Sequence, residues 1–565
     1  MELLEQHFDT AFSAPNGIQK LRELILTLAM QGKLVPQELR DVPASQLLTE
    51  VEAEKKRLAK AGKIKAPKPL PEIPPGDAPN ALPQGWQWVR LGSVGNVFNG
   101  NSINASEKEA KYAGAKGLPY IATKDVGYGF DPLDYGNGIC IPANEDKFRV
   151  AHEGAVLICA EGGSAGKKCG LTDRDICFGN KLFANELYGQ IPSRFILYAY
   201  LSPVFRAFFA TAMSGIIGGV SIAKFVEIPI PLPPLDEQYR IVAKIDQLMA
   251  RCDALENLRN EREKKRLATH AAALSQLLDT TGNGSANDAW AFITRHFCDL
   301  YVVKENVTEL RKAILQLAVM GKLVPQDLND PTARHLLSEI EAEKRRLIRD
   351  GKIKASKPFL DIAPQEKLFA LPHGWIWARL QDILDVRDGT HDSPRDANGP
   401  ETYPLITSKN FDRGRIDFSG ARQISAQDHF EIAKRSRVEK FDILFSMIGG
   451  NIGNQVIVED DQEFSIKNVA LFKYYSKLLT RPYFIKRFME HLAIDLQQKA
   501  AGGAQPFVSL GFLRNIVIAL PPVLEQERIV LKVQTLMELC DLLDQRIEAA
   551  TGKQYELLDA VMAQV

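Results

Sequence analysis

Apolar residues recur at alternating steps of four and three after Pro233-Pro234 and again after Pro521-Pro522. The first series is Ile241, Ile245, Leu248, Cys252 and Leu255, and the second is Ile529, Val533, Leu536, Cys540, Leu543 and Ile547. This spacing keeps one stripe of a helix apolar and is typical of a coiled-coil seam. It predicts a long helix from Leu235, which would span about 66 Å if it continued to Leu278.

A second apolar pattern lies upstream of each long helix. Its positions are Ile18, Leu21, Ile25 and Leu28 in the first copy and Val307, Leu310, Ile314 and Leu317 in the second. Gly32 and Gly321 follow, as glycine often does at the C-terminus of a helix. We expect the C-terminal helix to pack near the N-terminal one, and the central helix to meet residues 286–320.

The chain contains an internal repeat of two copies. Residues 21–37 and 310–326 are identical at 12 of 17 positions, where average composition gives about one. Two closing segments, residues 220–242 and 508–530, also match. Between these shared blocks lie residues 92–219 and 381–507, which resemble each other only faintly. A duplicated chain can fold with approximate two-fold symmetry, so we predict two equivalent frames that carry two different domains.

The domains that contain these dissimilar segments follow Pro-rich connectors and start at Trp86 and Trp375. They mix short β-like runs, such as residues 155–158 and 442–446, with turns. This mixture predicts an α+β domain with a twisted sheet in each half.

Composition excludes some classes of protein without selecting one. The 565 residues carry 70 Lys+Arg and 70 Asp+Glu, so the formal net charge is zero and any basic surface must be local. No apolar stretch reaches the length of a membrane span, and the N-terminus lacks a signal-peptide pattern. The seven cysteines have no C-x-x-C spacing, which indicates reduced thiols in a cytoplasmic protein. Four of them lie near His152, but without paired spacing we expect no metal site.

Sequence motifs for catalysis are missing. The chain has neither the N-P-P motif of an adenine methyltransferase nor a G-x-x-x-x-G-K-[ST] loop for ATP. Residues 162–168 come closest to such a loop, but their spacing is wrong, and they recur as residues 449–453 without the Lys pair. Two interpretations of this glycine loop remain equal: a turn between strands, or a close backbone approach to a phosphate.

Three motifs occur twice in the same order: G-W-x-W-x-x-L at 85–91 and 374–380, a D-I-L-type strand followed by glycines, and P-P-x-x-E-Q-x-R-I-V at 233–242 and 521–530. The first copy of the strand departs from this pattern as Ala155-Val156-Leu157. With this doubled set the chain resembles the specificity subunits of type I restriction-modification enzymes. The stretches L-x-L-A-x-x-G-K-L-V-P-Q and E-A-E-K-x-R-L resemble the branch typified by the IB class.

The resemblance implies an α+β fold class with two α/β target-recognition domains, separated by long antiparallel coiled-coil helices in an internal pseudo-twofold repeat. The implied parts are an N-terminal shared helical region at 1–82, target-recognition domain 1 at 83–232, a central shared helical region with its linker at 233–371, target-recognition domain 2 at 372–520, and a C-terminal shared helix at 521–565.

The resemblance also implies partners. Each target-recognition domain would read one half of a bipartite, asymmetric site on double-stranded DNA. Two modification subunits would methylate adenine and two restriction subunits would supply the ATP-dependent nuclease. S-adenosylmethionine, ATP and Mg²⁺ would then bind these partners, and this cytoplasmic chain would hold no cofactor, bind no membrane and catalyse nothing itself.

Base readout and phosphate anchoring need cationic, amide, hydroxyl or acidic side chains at turns. In the first domain the candidates are Asn101, Ser102, Lys124, Asp125, Ser164, Lys167, Lys168, Asn180 and Lys181. In the second domain they are Thr390, His391, Ser393, Arg395, Lys409, Asn410, Asn451, Lys467 and Asn468. Taken singly, each residue is best interpreted as part of a solvated turn. For His391, a contact within the turn is favoured over a role as metal ligand or general base. Together, in matching places, they indicate a binding face.

Two other functions are weighed against DNA recognition. One is a coiled-coil scaffold that carries two ligand-binding domains, and it predicts no binding of random duplex DNA. The other is a nuclease or methyltransferase in its own right, against which the missing motifs argue.

Overall fold

The computed structural model describes residues 12–65, 69–74, 81–214, 218–279, 283–355, 361–500 and 507–563. The chain divides into two compact units, residues 1–261 with 550–565 and residues 262–549. Each unit consists of a helical frame and one sheet-containing domain around a dissimilar segment; we call residues 86–232 variable domain 1 and residues 375–520 variable domain 2. The five-part division predicted from the sequence stays a prediction.

Helices and strands of the first half follow one another in this order: α1 Gly17–Met30, α2 Ala44–Lys60, β1 Gln87–Arg90, α3 Leu91–Val94, β2 Gly95–Asn99, α4 Ala105–Glu107, β3 Leu118–Ile121, β4 Cys140–Ile141, β5 Val150–Ala151, β6 Val156–Cys159, β7 Cys169–Leu171, β8 Ile176–Phe178, β9 Leu182–Leu187, α5 Ser193–Leu201, α6 Pro203–Ala212, α7 Ile222–Val226, β10 Pro229–Leu232 and α8 Leu235–Leu278.

The second half repeats this plan: α9 Asn283–Arg295, α10 Phe297–Leu300, α11 Lys304–Val319, α12 Ala333–Arg349, β11 Ile376–Arg379, α13 Leu380–Ile383, β12 Leu384–Asp388, β13 Thr402–Ile406, β14 Phe411–Asp412, β15 Arg415–Ile416, β16 Arg422–Ser425, α14 Ala426–Ser436, β17 Ile443–Ser446, β18 Gln455–Ile457, β19 Ser465–Ile466, β20 Val469–Tyr474, α15 Pro482–Ala500, α16 Leu510–Asn515, β21 Val517–Leu520 and α17 Val523–Met562.

Each variable domain contains two main sheets rather than the single sheet expected from the sequence. Domain 1 has the strand orders β2-β9-β6-β7 and β4-β3-β8-β5. Domain 2 has the orders β12-β20-β17-β18 and β16-β13-β19, with the small pair β14-β15 beside them. The α+β fold class and the internal repeat are confirmed.

Strand β6 shows why a second sheet is needed. Val156 and Ile158 pack into the core that includes the frame helices, whereas Leu157 and Cys159 pack into a separate core with Ile121. Because successive side chains of a strand point to opposite faces, β6 is apolar on both faces. A second layer must therefore cover the face that the helices leave open.

Entry and exit strands close each variable domain. β1 pairs antiparallel with β10, so that Gln87 lies opposite Leu232. In the same way β11 pairs with β21, and Ile376 lies opposite Leu520. The chain therefore enters and leaves each domain at one place on the frame.

The predicted long helix is confirmed as one helix of 44 residues, α8. Its seam holds through Cys252, but the expectation for Leu255 is wrong, because this side chain is 48% exposed. The facing helix α1 begins only at Gly17. Beyond that point a polar contact, from the Arg259 guanidinium to the Ala14 carbonyl at 2.8 Å, replaces the apolar seam.

Helix ends pack as the repeat predicts. In the first unit Leu558 and Val561, near the end of α17, share a small core with Leu24 of α1. In the second unit Leu274, near the end of α8, packs with Ile293 of α9. Both expected pairings, of the C-terminal helix with the N-terminal one and of the central helix with residues 286–320, are confirmed.

A buried glutamate joins each variable domain to its long helix. Glu237 accepts from Trp86 Nε1 at 2.9 Å and from Gln37 Nε2 at 2.7 Å. Glu525 accepts from Trp375 Nε1 at 3.0 Å and from Gln326 Nε2 at 3.1 Å. Both glutamates are 1% exposed. The sequence suggested only that an acidic residue here would suit the positive end of the helix dipole.

One ion pair accompanies each buried glutamate. Arg240 pairs with Asp41 in the first unit, and Arg528 pairs with Asp330 in the second. On the long seam, Arg22 contacts Asp253 and Glu256, and the equivalent Arg311 contacts Asp541 and Asp544; these four contacts lie within 3.0 Å. The two frames thus use the same polar contacts at equivalent positions.

The cysteines are free thiols of differing exposure. Cys159, Cys169, Cys177, Cys252 and Cys540 are buried, whereas Cys298 is exposed. Burial raises the pKa of each of the five buried thiols, to about 12 at Cys169 and about 11 at Cys177.

In the part of the chain that the structure describes, no single helix has the length and apolar character to cross a membrane. The pair α5 and α6, bent by 71°, meets that test on length and composition only when its two helices are counted together.

Candidate nucleic-acid interface

Three strands of variable domain 1 end at one edge. β3 and β8 are parallel, with Ile121 opposite Phe178, so the turns that follow them start side by side. The amide of Gly179 donates to the Ile121 carbonyl at 2.9 Å, and the amide of Asn101, just beyond β2, donates to the Phe178 carbonyl at 2.8 Å. The turns at 100–102, 123–125 and 179–181 therefore meet, and we call them the exit turns of domain 1.

Variable domain 2 has the same arrangement. β13 and β19 are parallel, with Ile406 opposite Ile466. The amide of Lys467 donates to the Ile406 carbonyl at 2.9 Å, and the amide of Thr390 donates to the Ile466 carbonyl at 3.0 Å. The exit turns of domain 2 are residues 389–395, 408–410 and 467–468.

Glycine loops after β6 and β17 lie beside these turns. In domain 1 the Ala160 amide donates to the Lys181 carbonyl at 2.9 Å, which holds the start of the loop against an exit turn. The loops themselves are equivalent, since the Gly166 amide bonds to the Cys159 carbonyl and the Gly453 amide bonds to the Ser446 carbonyl. Gly162 and Gly166 have φ of 87° and 69°, a region that glycine adopts without strain.

Two candidates are buried and correct the sequence-based expectation. Asp125, 4% exposed, accepts from the Ala122 amide and from Asn137 Nδ2, both at 2.8 Å. Asn410, 9% exposed, accepts from the Thr407 amide at 3.0 Å. Each side chain closes the 3₁₀ turn that follows its strand and is therefore turned inward. They position the turn that carries Lys124 or Lys409.

Asn101 also has a structural role in the loop where it lies. Its Nδ2 donates to the Lys147 carbonyl at 3.0 Å, and its Oδ1 accepts from the Arg149 amide at 2.9 Å. Its own carbonyl accepts from the Tyr120 hydroxyl at 2.8 Å. Burial raises the pKa of Tyr120 to about 12, so this hydroxyl remains a donor at neutral pH.

Polar candidates on the exit turns of domain 1 are exposed: Ser102, Lys124, Asn180 and Lys181. On the neighbouring glycine loop, Lys167 is exposed and Ser164 lies 3.4 Å from the Tyr128 hydroxyl. Lys168 bridges the loop and an exit turn, because its Nζ donates to the Thr123 carbonyl at 3.1 Å and lies 4.9 Å from the centre of the Tyr128 ring.

In domain 2 a polar cluster covers the edge. His391, 62% exposed at its side chain, has Nδ1 3.2 Å from Asn468 Oδ1 and Nε2 3.0 Å from Asp388 Oδ2. Lys467 Nζ donates to the Ser393 hydroxyl. Lys409 and Arg395 are exposed, as is Asn451 on the glycine loop, and Thr390 accepts from the Asp392 amide at 3.1 Å.

Two arginines outside the candidate set lie at these edges. Arg149 Nη1 donates to Asn99 Oδ1 at 2.8 Å, and Asn99 is the last residue of β2. Arg435 pairs with Asp388, which ends the equivalent strand β12. Arg435 lies in the basic cluster Lys434-Arg435-Ser436-Arg437, whose sequence fits phosphate contacts and a solvated helix face equally well. Arg149 is isolated in the sequence, and only the fold brings it to Asn99.

The edges formed by the exit turns of the two domains have the same backbone arrangement but differ in charge. Domain 1 places an amide, Asn99, where domain 2 places a carboxylate, Asp388. The turn before β9 has three residues, 179–181, whereas the turn before β20 has two, 467–468. Among the described residues, no group of three or more His, Cys, Asp or Glu side chains is placed to hold a metal ion. The arrangement suits two different polar surfaces, each presented by one domain.

Known proteins match this chain over most of its length. A family model described as the type I restriction modification DNA specificity domain matches residues 83–263 and 372–551. The specificity subunit of the type I restriction enzyme EcoAI from Escherichia coli is 33% identical over 566 residues, covering 96% of this chain and 93% of the relative. The specificity subunit of EcoEI, from the same species, is 30% identical over 580 residues with the same coverage.

A solved structure, the HsdS subunit from Thermoanaerobacter tengcongensis, matches 86% of this chain and 98% of its own at 18% identity and a TM-score of 0.40.

Proposed function

Because this chain belongs to the family of type I restriction-modification DNA specificity proteins, we propose that it reads a bipartite, asymmetric DNA site, one half-site per variable domain. The observation that carries this proposal is that each variable domain presents an equivalent edge of exit turns. Equivalent exit turns hold different side chains, so two equivalent surfaces would contact different bases. The chain acts as the specificity subunit and directs adenine methylation and restriction by partner subunits.

The partners supply the chemistry in this proposal. Two modification subunits bind S-adenosylmethionine and methylate adenine, and two restriction subunits bind ATP and Mg²⁺ and cut the DNA. This chain catalyses no step, holds no cofactor and works in the cytoplasm. Its exposed lysines at the exit turns, Lys124, Lys181 and Lys409, support contact with a polyanion and a strong dependence of affinity on salt.

Mapping methylated adenines in the source genome tests this function. The proposal expects one motif of two dissimilar halves, separated by a spacer of constant length, that disappears when this chain is deleted. The alternative, a coiled-coil scaffold for two ligand-binding domains, expects no change in methylation. The full chain assembled with modification subunits should also bind the mapped duplex at least about a thousandfold more tightly than random duplex.

Lys409→Ala should weaken reading of the second half-site alone. Lysine tips contact guanine edges in the major groove, and a lost base contact costs about 1–3 kcal/mol. The penalty for scrambling the second half-site should therefore shrink, while the penalty for scrambling the first stays the same. Titrations of the assembled complex with the intact site and with both scrambled duplexes measure these penalties.

The matched control is Lys124→Ala, at the equivalent position in domain 1. It should show the reverse pattern, with a smaller penalty for scrambling the first half-site only. Equal changes in both penalties for either variant would contradict reading by separate domains.

A further inference from the structure

A groove of about 920 Å³ lies in the second unit, between the segment that follows α12 and the edge of variable domain 2. Its cationic side chains are Lys352, Lys354, Arg387, Lys434, Arg435 and Arg514, and its acidic ones are Asp385 and Asp388. The lining therefore carries an excess of four positive charges.

The two carboxylates of the groove are already neutralised. Asp385 accepts from Arg387 Nε at 2.8 Å, and Asp388 pairs with Arg435. Outside the lining, Lys434 pairs with Glu431 at 2.6 Å and Lys352 lies 4.0 Å from Asp350, so Lys354 and Arg514 remain as the cations without a carboxylate partner among the described residues. Arg514 Nη2 donates instead to the Val386 carbonyl at 2.7 Å.

Lysine and arginine on both walls give the groove the chemistry of an anion site. Lys352 and Lys354 belong to the frame side and are exposed, whereas Arg514 and Lys434 belong to the domain side. An anion between the walls would accept from donors on both of them, as a phosphate does.

The groove continues into the exit turns of domain 2. Asp388 and Arg435 line it, and Asp388 also lies 3.0 Å from His391 Nε2. A strand of nucleic acid that contacts the exit turns would therefore reach the groove with its next phosphates.

Among the described residues of the first unit, the frame keeps the lysines but the domain lacks the equivalents of Arg387 and Arg514. Lys63 and Lys65 stand where Lys352 and Lys354 stand in the second copy. The strand and helix positions equivalent to Arg387 and Arg514 hold Phe98 and Val226. Arg387 and Arg514 are therefore specific to the second half, whereas Arg149 lies at the edge of domain 1 as Arg435 does at that of domain 2.

We propose that this groove binds the phosphate backbone of the duplex beside the second half-site, and that the first half has no counterpart. The inference rests on the proposed function, because the duplex reaches the groove only if domain 2 reads DNA. Affinity would then depend more on the DNA that flanks the second half-site than on the DNA that flanks the first.

The test is the double variant Lys352→Gln and Lys354→Gln in the full chain, assembled with modification subunits and titrated with the mapped duplex at several salt concentrations. Each lost phosphate contact should reduce the slope of log K against log salt by about 1, hence by about 2 for the pair. The matched control, Lys63→Gln with Lys65→Gln, should leave the slope unchanged. Ethylation of phosphates beside the second half-site should hinder binding of the unaltered complex but not of the double variant.

Each outcome has a separate meaning. An unchanged slope in the double variant, with the preference for the mapped site intact, would overturn the groove inference and leave the proposed function standing. Absence of preference in the unaltered complex would overturn the proposed function itself. Binding of inorganic phosphate or a mononucleotide that the double variant loses, without a change in the DNA slope, would show a small anion site instead of a backbone site and would also overturn the inference.

Discussion

A chain in which residues 92–219 also replace residues 381–507 should recognise the first half-site at both positions. Preference for the original second half-site should fall by roughly a thousandfold, because each mismatched base pair costs about 1–3 kcal/mol and several are lost together. This expectation follows from the joints between frame and domain, which are equivalent in the two units.

The joints on either side of the graft are built alike. The Leu91 amide donates to the Ile228 carbonyl at 3.0 Å, and the Leu380 amide donates to the Ile516 carbonyl at 2.9 Å. At the other end, Val220 and Val508 are both buried. A domain moved from the first unit to the second therefore finds an equivalent strand pair and an equivalent buried valine at its new position.

Of the contacts with the long helix that differ between the units, one ion pair should travel with the graft. In the first unit Arg194 pairs with Asp246 of α8 at 2.7 Å. The equivalent residue of α17 is Gln534, so the grafted chain should also carry Gln534→Asp. Without this change Arg194 would lack its carboxylate.

Methylated adenines mapped in cells that express the grafted chain with its partner subunits provide the measurement. The expected motif contains the first half-site twice. A motif that still contains the original second half-site would show that bases are read outside residues 381–507. The control for the folding of the graft is a chain that keeps the graft at residues 381–507 but lacks variable domain 1 at its original position.

Glu525→Ala should destabilise the second unit by about 2–4 kcal/mol. The change removes the acceptor of the buried Trp375 Nε1 and of Gln326, and buried donors without partners are costly. It also leaves a cavity between the variable domain and α17. Glu237→Ala should do the same to the first unit, since Glu237 bonds to Trp86 and Gln37 at equivalent positions.

Hydrogen exchange measures this loss within each unit. Amides of α11 and of the first turns of α17 should exchange faster in Glu525→Ala, and those of α1 should not. Glu538→Ala, an exposed position of the same helix, is the control and should change stability by less than about 0.5 kcal/mol. Equal exchange in these two variants would contradict a structural role for the buried carboxylate.

The same carboxylate makes the stability of the second unit depend on pH. Burial raises the pKa of Glu525 above its ordinary value of 4.5. The folded state therefore binds the proton more tightly than the unfolded state, so the unfolding free energy falls as pH rises from 4.5 through the raised pKa. Glu525→Gln cannot ionise, and urea unfolding at a series of pH values should show a weaker decline for it.

The frame was predictable because its signals are long and repeated. The 4-3 spacing runs over many turns of α17, and two copies of each motif support one another. The bounds of α8 and the pairing of its end with α9 followed from that periodicity. The IB branch, by contrast, stays a prediction, as do the domain boundaries and the DNA contacts of the exposed candidates.

Individual side chains of the variable domains were less predictable, because polar residues at turns serve either the fold or a ligand. Asp125 and Asn410 are polar turn residues, as their neighbours Lys124 and Lys409 are. Their side chains nevertheless turn inward and close a 3₁₀ turn. Arg149 reaches Asn99 across 50 residues of chain. Such contacts depend on the tertiary structure, so the local sequence pattern does not predict them.

The unequal exposure of the cysteines makes the chain convenient for spectroscopy. Thiol reagents attack the thiolate, and five of the seven sulfurs combine burial with a raised pKa that suppresses it. Cys298, on the surface at α10, should therefore take a maleimide fluorophore ahead of those five. A dye there would report on the second unit from outside both variable domains, and Cys140, the half-buried seventh thiol, is the cysteine to replace before partner assembly and DNA binding are timed.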